Sequence, residues 1–323
     1  MNLKRVESKE IKKLTRNRIV KYIDNIFIQD RKSTRLNSIQ KSQINWHPGH
    51  MAKTKRLISE KLNQIDVVYE LIDARIPFSS KIVDIDNYTR NKPKLLIMTK
   101  YDLCDKEKTK EWVKYYEELG YKVLCIDQNT NINIIINATK ELMKEKNEIK
   151  QEKGLNITKT RVLVVGIPNV GKSTLINKLA GKKAVNVGNK PGVTKNLDWI
   201  RINNDLELLD SPGILWPKFE SEEVAFNLAS LTAIKEEVLP IEKVVCYIIK
   251  KLYEDYPNIL KERYDITNIT EDFIEEFEII GKKRGCLSKG GIVDYEKVCN
   301  IVMNDLKNGY IKGITFDKLC QIK

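Results

Sequence analysis

The chain has 323 residues, 41% hydrophobic and 31% charged, which is enough apolar material to fill the cores of roughly two domains. Its 57 Lys/Arg against 44 Asp/Glu give a net charge of +13, which suits a polyanionic partner and equally a Lys-rich surface that keeps a chain in solution. The longest apolar run, Val244–Ile249, is far short of the about 20 residues a membrane span needs; six scattered cysteines with no CxxC pair, beside two histidines, speak against a zinc site and read as reduced thiols.

Residues 1–43 read as a basic N-terminal extension. Helical spacing appears only at Ile19, Val20, Ile23, Ile26 and Phe27, and no apolar stretch of a secretory signal follows the first residues. Residues 44–218 read as one α/β domain. Its predicted strands are 66–73, 94–100, 121–127, 160–166, 198–203 and 206–210, with helical patterns such as 110–119 and 172–180 between them. That alternation predicts a mostly parallel sheet with helices on both faces, and the last two strands read as an antiparallel hairpin at one edge. Residues 219–323 read as a smaller all-helical domain, from helical spacing through 224–254 and 296–309 around a Gly-rich joint at 285–291. Charge divides unevenly: residues 1–45 and 46–213 each carry +8, and residues 214–323 carry −3.

Gly166-Ile167-Pro168-Asn169-Val170-Gly171-Lys172-Ser173-Thr174 follows an apolar strand and opens a helix, the context a P-loop requires. Glycine lets the backbone approach phosphate oxygens; the loop Pro168–Thr174 is expected to line the nucleotide, with the amides of Asn169, Val170, Gly171, Lys172, Ser173 and Thr174 and the helix N-terminus holding the anion. Lys172 is expected to reach the β- and γ-phosphates and to serve catalysis; Ser173 is expected to ligate Mg²⁺.

Thr99-Lys100-Tyr101-Asp102 ends a predicted strand, where α/β sheets meet their ligands. A carboxylate at Asp102 accepts from both N1–H and the exocyclic amine of guanine, which adenine does not offer, and the stem of Lys100 packs along the base. Alone, such a string is an ordinary solvated turn; the P-loop gives it weight. Asp210-Ser211-Pro212-Gly213 follows another strand: Asp210 is expected to hold Mg²⁺ and the Gly213 amide to sense the γ-phosphate. Between them, Lys190-Pro191-Gly192-Val193-Thr194 offers Thr194 as a switch residue that closes over Mg²⁺. By itself this string too is a plain turn.

Asp102 precedes Gly166 by 64 residues, so the base motif comes before the cradle and both switches. A sheet whose termini have moved keeps the same site. Here the sequence resembles the circularly permuted GTPases, specifically the ribosome biogenesis GTPase A family. The resemblance runs from Ile44 to the C-terminus, on Asn45-Trp46-His47-Pro48-Gly49-His50-Met51, Asp73-Ala74-Arg75-Ile76-Pro77, GIPNVGKST, PGVT and Asp210-Ser211-Pro212-Gly213-Ile214-Leu215-Trp216-Pro217, and on the C-terminal strings GCLSKGG (285–291) and DLKNGYIKGITF (305–316). It implies a circularly permuted P-loop GTPase domain, and GTP hydrolysis coupled to late maturation of the large (50S-type) ribosomal subunit with rRNA bound. Thr99 departs from the family's Asn, which weakens the bond that Asn lends to the loop, and Ser211 replaces a common Thr.

Ile214 stands where Ras-type enzymes place a water-orienting Gln. By chemistry alone His50 is a surface histidine capping a helix; the resemblance makes it the candidate for orienting that water. Some GTPases use an Asn at the position of Asn169 to hold K⁺ near the phosphates, so K⁺ stands beside Mg²⁺ as a cofactor to test. Lys53, Lys55 and Arg56, and Lys282, Lys283 and Arg284, are RNA-contact candidates or solvated faces. The expected partners are GTP, GDP and the large subunit, with no membrane, for a monomer. The acidic Glu7, Glu10, Asp24 and Asp30 in the extension favour the cytoplasm over an organelle. The other readings are a signalling GTPase acting on a protein partner and a P-loop ATPase or kinase, against which Asp102 and the motif order stand.

Overall fold

The computed structural model describes residues 56–83, 85–89, 92–185, 199–213, 215, 219, 221–234 and 238–322. The extension 1–43, the 45–51 motif with His50, Lys53, Lys55, the 190–194 segment with Thr194, and Ile214, Trp216 and Pro217 lie outside the described residues.

Among the described residues six strands form one sheet: β1 (Val67–Asp73), β2 (Lys94–Thr99), β3 (Lys122–Cys125), β4 (Thr160–Gly166), β5 (Trp199–Arg201) and β6 (Leu206–Asp210). The order is β3-β2-β1-β4-β6-β5. Every pairing is parallel except β5 with β6, the predicted edge hairpin. β1 and β2 are buried along their whole length, as near-continuous apolar strands covered on both faces must be. Glu70 is tolerated inside β1 because Lys81 Nζ and the Ile82 amide each donate to its carboxylate at 3.0 Å.

The sheet unit also holds α1 (Ile85–Thr89), α2 (Lys106–Glu118), α3 (Asn133–Leu142), α4 (Lys144–Glu152), α5 (Lys172–Ala180) and α6 (Glu222–Ser230). The Asp105 carboxylate caps α2 by accepting the Glu107 and Lys108 amides. Trp112 and Tyr116, one turn apart on α2, pack on Ile72, Leu96 and Met98. Tyr69 points to the opposite face, where its hydroxyl bonds Thr139 of α3.

Leu239–Ile311 form a second compact unit, with α7 (Ile241–Asp255), α8 (Pro257–Tyr264), α9 (Ile274–Lys283) and α10 (Tyr295–Lys307). Val244, Val245, Ile248, Ile249 and Leu252 form the buried stripe of α7. Asp305, 2% exposed, is held by Arg263 and Arg284, each with a nitrogen at 2.6 Å. Arg284 is thus a counter-ion of Asp305 whose side chain stays 26% exposed. Among the described residues no helix is long and apolar enough to cross a membrane.

The sequence placed the domain boundary at 218/219. The compact units divide instead after Val238, and the chain returns to the sheet unit at Lys312. Helical periodicity marks which face of a helix is buried, not which core receives it. The pattern through 224–254 is in fact two helices. α6 stays with the sheet unit, its Asn227 donating to Ser79 Oγ at 3.1 Å.

Candidate nucleotide site

Parallel pairing sets Asp73 beside Thr99, Leu71 beside Gly166 and Val164 beside Asp210. The loops after β1, β2, β4 and β6 therefore leave the sheet at one edge, where open α/β sheets bind ligands.

The cradle is backbone packed tightly against backbone. A Cβ on Gly166 would stand 2.8 Å from the Leu71 carbonyl oxygen, so this position needs glycine. Gly171, at φ +107°, turns the chain into α5, whose first residue is Lys172. Lys172 is buried and its Nζ donates to the carbonyls of Gly166 at 3.0 Å and Ile167 at 2.9 Å. Burial lowers its pKa to about 8, against the opposing charge of Asp210.

The base loop lies against this cradle. The Thr99 hydroxyl is 2.7 Å from Val170 O, with Ile72 O at 3.1 Å, so Thr99 ties the two loops together in place of the expected Asn. Lys100 Nζ donates to Asn169 O at 3.0 Å and to Asp73 Oδ2 at 2.9 Å. Asn169 Nδ2 donates to Thr232 O at 2.6 Å. Lys100, Asn169 and Thr232 all have left-handed backbone, with φ between 58° and 59°. Non-glycine residues hold that conformation only where their surroundings over-determine it, and such residues gather at functional sites.

Asp73 is fully buried, which alone would raise its pKa. Arg75, donating at 3.0 and 2.9 Å, and Lys100 reverse this and hold the carboxyl well below the usual range. Asp102 is exposed, at a turn closed by the Leu103 amide on Lys100 O at 2.9 Å. The loop after β3 lies beside it, Ile126 O accepting the Tyr101 amide at 3.1 Å.

Gly213 meets the cradle from the other side: a Cβ there would lie 2.8 Å from Pro168 N. Pro168 and Val170 are buried, Ser173 is half-buried and Thr174 is exposed. Asp210, 2% exposed, ends β6. Among the described residues no cluster of three His, Cys, Asp or Glu is placed to hold a metal. A hydroxyl and a carboxylate, Ser173 and Asp210, are hard oxygen donors of the kind Mg²⁺ takes when phosphates and water complete its shell. Of the candidate site residues that are described, the structure gathers Thr99, Lys100, Asn169, Val170 and Lys172 by direct bonds, and Gly213 with Pro168 by contact. Arg75 and Thr232 escaped the sequence reading. Arg75 stood inside a quoted motif, whereas nothing marked Thr232.

A family model described as "50S ribosome-binding GTPase" matches residues 161–280, and one described as "RsgA GTPase" matches residues 86–220. The chain is 47% identical to Ribosome biogenesis GTPase A of Priestia megaterium over 85% of its own length and 96% of that protein's. It is 45% identical to the protein of the same name from Bacillus pumilus, over 85% and 98%. The GNP-bound crystal structure of YlqF from T. maritima superimposes with a TM-score of 0.58 at 27% identity, covering 82% of this chain and 98% of that one. The sheet with its reordered motifs is thus the circularly permuted P-loop GTPase fold, and the chain is a GTPase belonging to the ribosome biogenesis GTPase A family.

Proposed function

We propose that this GTPase is an assembly factor for late maturation of the large ribosomal subunit. In this reading it is a cytoplasmic monomer that binds rRNA in a nucleotide-dependent way and hydrolyses GTP faster when docked. The relatives' name supports the assembly role. The observation that carries the site is the pair of bonds from Thr99 and Lys100 to the backbone of Val170 and Asn169, which joins base loop and cradle although they lie about 70 positions apart.

In this reading Asp102 pairs with the guanine edge and Lys100 lies along the base. Pro168 lines the cradle, and the amides of 169–174 with Lys172 hold the phosphates. Lys172, whose Nζ donates to the Gly166 and Ile167 carbonyls, would find a stronger, charged acceptor in the phosphate oxygens. Ser173 and Asp210, with Thr194, would hold Mg²⁺, which when bound neutralises developing charge on the phosphates. Asn169, its amide nitrogen fixed on Thr232, would offer its oxygen to K⁺. Gly213 senses the γ-phosphate beside Pro168, and His50 orients the attacking water.

Co-sedimentation with purified large subunits, in a non-hydrolysable GTP analogue, in GDP and without nucleotide, tests the assignment. Association is expected to be strongest with the analogue and to weaken steeply with salt. Absence of association in all three states would favour a switch acting on a protein partner.

A further inference from the structure

The residue that follows Asp102 is held by a distant part of the chain. Leu103 O accepts the Gly313 amide at 2.8 Å and the Ile314 amide at 3.4 Å. These donors open the segment that returns from the helical unit, and the segment is built into the sheet unit's core. Ile314, Thr315 and Phe316 are 0% exposed and Asp317 2%. The Thr315 hydroxyl lies 3.2 Å from that of Thr109 and 3.3 Å from Ala74 O. The Phe316 amide donates to Arg75 O at 2.8 Å. The Asp317 carboxylate accepts the Phe78 and Ser79 amides at 2.8 Å, the Ser79 hydroxyl at 2.5 Å and Asn227 Nδ2 at 2.8 Å.

Asp102 is therefore an exposed side chain on a backbone fixed from both sides. On one side Lys100 is bonded to Asp73 and the cradle; on the other Leu103 is bonded to the returning segment. We propose that residues 313–317 are a strap that positions Asp102, and that the strap sets how strongly guanine is preferred over hypoxanthine. The proposal rests on Asp102 as the base reader. Guanine offers that carboxylate two donors, N1–H and the exocyclic amine, whereas hypoxanthine offers only N1–H. Taking both requires the carboxylate to be held in orientation as well as in place. Loosening the strap costs the amine bond selectively, whereas a general loss of stability weakens both nucleotides alike.

The test is titration of GDP and IDP into the full chain and its Thr315→Val, Asp317→Asn and Asp102→Ala variants, with a thermal melt of each. Thr315→Val keeps the buried volume and removes only the hydroxyl, so it stays informative if Asp317→Asn fails to fold. Both strap variants are expected to weaken GDP about fivefold, the effect of roughly one hydrogen bond, and to leave IDP within about twofold. Asp102→Ala is expected to bind the two equally. A GDP-to-IDP ratio unchanged in every folded strap variant while Asp102→Ala collapses it overturns the strap alone. A ratio unchanged in Asp102→Ala overturns the base reading, and the strap with it.

Discussion

Lys172 is a cation enclosed by the carbonyls of its own loop, and its titration separates binding from folding. Burial brings its pKa to about 8, so above that pH the apo protein has lost a proton that nucleotide phosphates would retain. GDP affinity is expected to be flat up to about pH 8 and to fall beyond it. Stability of the apo protein moves the other way. The unfolded lysine keeps its proton up to its ordinary 10.5, so between about 8 and 10.5 the unfolded state binds more protons and stability rises with pH. Calorimetric GDP titrations and urea melts over that range check both signs; a GDP affinity that stays flat throughout would mean that Lys172 keeps its charge in the empty loop. At this scale the cradle was legible, because spacing and residue type together state the chemistry. Asp73 was legible only as a letter in a motif. Its bonds to Arg75 and Lys100 require the register that sets β1 beside β2, which no local string records.

Among the elements, the Asp210–Gly213 loop approaches the P-loop backbone to backbone. Gly213→Ala places a methyl 2.8 Å from Pro168 N and 2.9 Å from its Cα, and backbone, unlike a side-chain end, does not swing aside. Overpacking of this kind costs about 1–3 kcal/mol. If Gly213 senses the γ-phosphate, the variant is expected to lose about tenfold in affinity for a GTP analogue while GDP changes by less than about threefold. Equal losses for both nucleotides, in parallel titrations, would remove that role. Strands β1, β2, β4 and β6 were legible because a buried parallel strand leaves an unbroken apolar run. Helices α3 and α4 were not singled out, and 224–254 looked like one helical stretch although Thr232 breaks it with positive φ. Residues 305–316 were legible only as a string that resembles the family; the return of 312–317 to the sheet unit was not, because an extended segment, buried one residue after another, has no period to read.

At the scale of the molecule, one buried carboxylate joins positions 239 residues apart, Phe78 and Asp317. Burial lifts the Asp317 pKa to about 6 against the pull of its donors. Between its ordinary 3.8 and about 6 the folded chain keeps a proton that the unfolded chain has released. This group's contribution is therefore full below about 3.8 and is lost as pH rises through about 6. The stability difference between the wild type and Asp317→Asn is expected to shrink across that window in urea melts, whatever the other carboxylates do; a constant difference would show that Asp317 does not titrate there. The same clasp has a consequence for synthesis. Chains fold largely in the order in which they emerge, yet the loop carrying Asp102 waits for partners made more than two hundred codons later. A nascent chain still tethered short of residue 317 would hold its phosphate cradle complete and its base loop fastened on one side only, and so would discriminate poorly between guanine and hypoxanthine until translation had passed that point.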